Sequence, residues 1–64
     1  MTQHKITYTL KNKHNGEPFD PLNRINFAYF IASNANEAIN KLKNEFSMFD
    51  VEVIGSSVVE VADA

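Results

Sequence analysis

Between Ile31 and Ala35 the hydrophobic repeat of this chain changes its period. Ile25, Phe27, Tyr29 and Ile31 recur every second residue, the spacing of a pleated strand. After Ser33-Asn34 the repeat becomes Ala35, Ala38/Ile39, Leu42 and Phe46, the spacing of one helical face. A strand therefore feeds directly into an amphipathic helix, and any fold must bury the apolar stripe of that helix against a sheet. This places the chain in the α+β class.

The junction carries its own start signal. Asn34 stands three residues before Glu37, an N-cap followed by the acidic residue of a capping box. Glu37 also lies at the positive end of the helix dipole. Asn40, Lys41, Lys43, Asn44 and Glu45 form the wet face, with Lys41 and Glu45 spaced for an i,i+4 pair. The helix is expected to end near Ser47-Met48.

Three further segments complete the pattern. From Lys5 to Lys11, Ile6, Tyr8 and Leu10 alternate with Lys5, Thr7, Thr9 and Lys11, as in a strand with one wet face. Asn12 to Arg24 is a long polar connection containing the turn signal Asn15-Gly16 and the pairs Glu17-Pro18 and Asp20-Pro21. From Asp50 onward, Val51, Val53, Gly55, Ser57, Val59 and Val61 share one parity. That favours one long strand, bent or bulged at Gly55-Ser56, over a hairpin through Gly55-Ser56-Ser57. The predicted order is β-β-α-β: a three-stranded, mainly antiparallel sheet with one helix packed on one face and the first strand in the middle.

The second strand, Ile25 to Ala32, is apolar on both faces. Ile25, Phe27, Tyr29 and Ile31 form one row; Ala28, Phe30 and Ala32 form the other. With the bulkier row under the helix, Phe30 flanked by alanines is expected on the outer face, as part of an interaction surface or as a lone aromatic shielded by neighbouring stems. Phe19, deep in the long connection, either folds back onto the core or stands out as an anchor for a partner.

The 64 residues are read as one small domain, 1–64. A core of this size supplies no more than roughly 3–5 kcal/mol, so self-association or partner binding is a natural further source of stability. With no cysteine, neither a disulfide nor a thiolate zinc site is available. The start, Met1-Thr2-Gln3-His4-Lys5, lacks the apolar run of a signal peptide, and no stretch approaches a membrane span. A cytoplasmic location without membrane contact is expected.

Charge is uneven. Residues 1–32 sum to +2 and residues 33–64 to −4, within a net −2. Ordinary solvated faces explain this most simply; a mildly basic loop facing a charged partner is the sharper reading. His4 and His14 lack the convergent partners of a metal site and read as surface histidines. No cofactor is expected. The acidic residues are scattered, and the serines lie at boundaries or bulges. No acid–base pair or activated nucleophile emerges, and the chain is read as non-enzymatic.

A nucleic-acid surface would draw on Lys5, Lys11, Lys13, Arg24 and His14, with Tyr8, Tyr29 and Phe30 for stacking. The six basic residues and a pI near 5.5 leave its phosphate contribution small. Protein binding or self-association is the stronger reading, with Lys11, Lys13, His14, Phe19, Arg24 and Phe30 as candidate contacts.

The run from Phe27 to Ile39, in which a strand ends in Ala-Ser-Asn and Glu-Ala opens a helix, resembles a pattern of very short phage and mobile-element proteins. Some β-β-α-β proteins of this type are anti-CRISPR inhibitors that coat a surface of a bacterial defence complex. The resemblance covers roughly residues 25–61 and carries no residue-level motif. It implies an accessory or inhibitory protein acting on a larger machine.

Overall fold

A computed structural model of the chain describes residues 1–59. It has the order β1 (Thr2–Asn12), β2 (Asn26–Ala32), α1 (Ala35–Glu45) and β3 (Phe49–Val59). The strands form one sheet in the order β2-β1-β3, antiparallel throughout. β1 is longer than its alternating heart, because ladder partners continue from Thr2↔Ala32 at one end to Asn12↔Phe49 at the other.

The helix begins as its sequence dictates. The Asn34 side chain accepts from the Glu37 backbone N–H at 2.9 Å. The Glu37 carboxylate lies 3.9 Å from Lys41 Nζ. Lys41 is thus directed to Glu37 rather than toward Glu45, and it also donates to the Ile31 carbonyl at 2.9 Å. The helix ends at Glu45 with Phe46 as C-cap, earlier than Ser47-Met48.

Ala38 and Leu42 are fully buried, with Ala35, Ile39 and Phe46 half-buried beside them. Beneath lie Ile6, Tyr8 and Ala32, which complete a core of five buried apolar residues among those described. The Tyr8 and Phe46 rings meet at 5.8 Å. Burial and the nearby Glu45 carboxylate raise the Tyr8 pKa above its ordinary value.

The fold departs from expectation first at β2, which faces the opposite way. Ala32 is fully buried, while Ala28 and Phe30 pack against the core. Ile25, Phe27, Tyr29 and Ile31 stand 53–55% exposed. The alanines explain this: only Ser33 and Asn34 separate Ala32 from the helix, and Ala32 with Ala38 lets the helix backbone come close to the sheet. A row of Phe, Tyr and Ile under the helix would hold it away.

The second departure is in β3, which is one strand with a broken alternation. Thr7 pairs with Gly55 and Tyr8 with Val53, so Ile54 is an extra residue. The bulge lies just before Gly55-Ser56. Val51 and Val53 pack under the helix, whereas Ser56 and Val58 then oppose Ile6 and His4. The expected continuation to Val61 lies outside the described residues. His4 is also not a surface histidine. It is 4% exposed on the helix side of the sheet, with Nε2 2.8 Å from Thr2 Oγ1.

Candidate binding surface

With α1 on one face, the other face of the sheet is open among the described residues. Opposite residues of an antiparallel pair share a face, so Gln3↔Ile31, Lys5↔Tyr29 and Thr7↔Phe27 place two rows side by side. The β2 row is apolar; the β1 row is Gln3, Lys5, Thr7, Thr9 and Lys11. Lys5 Nζ stands 4.4 Å from the centroid of the Phe27 ring, a cation–π contact on this face. At the β3 side, Lys11 forms an ion pair with Glu52. The face therefore grades from an aromatic and aliphatic strip along β2, through the half-buried Gln3, Lys5 and Thr7, to a neutralised pair at β3; Thr9, in the same row, is buried. Such a strip, rimmed by polar groups, has the composition of a recognition surface.

The long connection is ordered by short-range hydrogen bonds. Gly16 adopts φ +69°, which glycine accepts without cost, and its N–H donates to the Asn12 carbonyl at 2.8 Å. The Asn12 and Phe19 amides donate to the Glu17 and Leu10 carbonyls at 2.8 and 2.9 Å. Residues 17–19 thus extend the sheet beside β1, beyond the end of β2.

A second turn follows. Asn23, at φ +50°, donates to the Asp20 carbonyl at 2.7 Å, and Asp20 Oδ1 accepts from the Leu22 N–H at 3.0 Å. Asp20 Oδ2 accepts from Arg24 Nε at 2.7 Å. The Arg24 hydrogen bond, aided by the Leu22 amide, lowers the Asp20 pKa, and the same pair raises that of Arg24.

The six candidate contacts read from the sequence do not form one site. Phe30 is withdrawn to the helix side. Phe19 takes neither extreme: it is 56% exposed, with its ring in an edge-type contact with that of Phe49 at a centroid separation of 4.7 Å. Arg24 and Lys11 are held by carboxylates. His14 is exposed in the first turn. Lys11 and Lys13, with Lys43, line an open groove of about 630 Å³ at the start of β3, but Asp50 and Glu52 line it too. The basic residues therefore make no continuous positive surface.

Sequence reasoning placed Phe27, Tyr29 and Ile31 under the helix and so missed their exposure on the open face. The available signal was the pair of alanines in the opposite row. Among the described residues, no three His, Asp or Glu side chains gather as a metal site, and no helix is long and apolar enough to cross a membrane. No protein-family model, curated protein or solved structure matches the chain.

Proposed function

We propose that this chain is a small non-enzymatic protein-binding module that docks through the open face of its sheet, in the manner of an accessory or inhibitory protein acting on a larger one. The observation that carries this reading is the β2 row. Phe27, Tyr29 and Ile31, with Ile25 just before the strand, are each more than half exposed, whereas only five apolar residues among those described are buried. Leaving these large apolar side chains more than half in water along and beside one strand forgoes burial that a domain so small needs. A partner surface restores it. The second reading, nucleic-acid binding, has less beneath it, because Lys11 and Arg24 are already engaged by Glu52 and Asp20.

The test is a Phe27→Glu/Ile31→Glu double variant. Both side chains are already largely in water, so far-UV circular dichroism is expected to be unchanged. Retention of proteins that the wild-type chain captures from its own host's extract is expected to be lost. Equal retention by the double variant refutes the face, and capture of nucleic acid alone refutes the protein-binding reading.

A further inference from the structure

The backbone of β2 carries information that its side chains do not. The Phe19 N–H donates to the Leu10 carbonyl and the Asn12 N–H to the Glu17 carbonyl. Both bonds lie on the β2 side of β1, since β3 occupies the other side. The even-numbered residues of β1 therefore direct their backbone groups toward β2. Their partners Asn26, Ala28, Phe30 and Ala32 direct theirs back.

It follows that Phe27, Tyr29 and Ile31 turn their N–H and C=O groups outward, to the edge where, among the described residues, no further strand lies. Lys41 Nζ supports this independently, because it reaches the Ile31 carbonyl from the helix. That contact occupies one end of the edge. The amides and carbonyls of Phe27 and Tyr29 remain as a donor–acceptor template.

The two edges of the sheet differ. β3 carries Asp50 and Glu52 and a bulge at Ile54, devices that oppose pairing with another strand. β2 holds no charge, no proline and no bulge in its seven residues. We infer that β2 pairs with β2 of a second copy of this chain across a two-fold axis, giving a continuous six-stranded sheet.

Phe27 of each copy then opposes Tyr29 of the other, with Ala28 at the axis. Two reciprocal pairs give four hydrogen bonds, none competing with Lys41. Ala28 on both sides leaves room for close approach at the axis. The charges at the ends of the edge are already neutralised as Arg24–Asp20 and Lys41–Glu37, so the antiparallel match brings no unpaired like charges together. An isologous contact of this kind closes at two copies. A β2-to-β3 contact would grow without end, and β3 is guarded against it. The pairing uses the edge of β2 and not the open face of the sheet.

Sedimentation from micromolar to millimolar concentration, with amide hydrogen exchange at both ends of the range, tests it. The expected result is a rise to twice the monomer mass, and no further. Slowed exchange is expected at Phe27 and Tyr29 on dimer formation, while Ala28 and Phe30 are protected in both states. Tyr29→Pro removes an outward N–H and spares the β1 ladder, so the doubling of mass is expected to be lost with the circular dichroism retained. A monomer at millimolar concentration, growth beyond two copies, or a dimer whose Phe27 and Tyr29 amides still exchange freely overturns the proposal. If Tyr29→Pro unfolds, the exchange pattern of the wild-type chain decides alone.

Discussion

Leu42→Ala, set beside Ile31→Ala, measures how unevenly this domain is held together. Leu42 is 0% exposed and sits in the five-residue core; Ile31 is 55% exposed on the open face. Truncating a fully buried Leu forfeits its transfer energy and leaves a cavity, together about 3–5 kcal/mol. That equals the roughly 3–5 kcal/mol a domain of this size holds in all. Ile31 keeps less than half its surface from water, and its truncation opens onto solvent rather than a void, so its loss is about 1 kcal/mol or less. With a urea slope of about 1 kcal/mol/M for so small a protein, Leu42→Ala is expected to lower the midpoint by about 3–5 M and erase most of the native baseline. Ile31→Ala is expected to move it by about 1 M or less. The assay is a urea titration followed by far-UV circular dichroism, at concentrations where the chain is monomeric. Equal shifts, or a larger one for Ile31→Ala, refute the assignment of faces.

Two further outcomes rest on local geometry. Asn34→Ala removes the acceptor for the Glu37 amide and is expected to cost about 1 kcal/mol in the same titration, whereas Asn34→Ser should restore most of it. The Asp20 pKa is lowered in the fold, so the stability its turn contributes is present above the ordinary aspartate pKa and is lost as pH falls through the lowered value. In a carboxyl-carbon NMR titration Asp20 is expected to ionise below the usual aspartate range, and Arg24→Ala is expected to return it toward that range. An unchanged midpoint in Arg24→Ala would show that the Leu22 amide alone holds the carboxylate.

Much of the architecture is legible in the residues because local and global signals agree there. The period change, the Asn34 cap, the Asn15-Gly16 turn and the alternation of Ile6, Tyr8 and Leu10 each define one element or junction, and β-β-α-β follows from their order. The face of β2 is not legible from periodicity, because both of its rows are apolar. What decides it is the fit between backbones at Ala32 and Ala38, a property of two elements together. Nor does parity locate the bulge. Val51 to Val59 alternate without interruption in sequence, yet the ladder gains a residue at Ile54. The basic candidates fail as a group for a related reason: Lys11 and Arg24 look free in sequence and acquire carboxylate partners only in the fold.

The central position of β1 has a consequence for how the chain is made. Its residues leave the ribosome before those of either neighbour, yet Gln3 must wait for Val59, the farthest described partner in the chain. No hydrogen-bonded half of the sheet can be finished early on the β3 side. Nascent β1 can take up β2 on one flank, but its other flank stays vacant until synthesis has passed Val59 and β3 has cleared the exit tunnel. Closure of the sheet is therefore a late event on the ribosome, whatever the helix has already achieved.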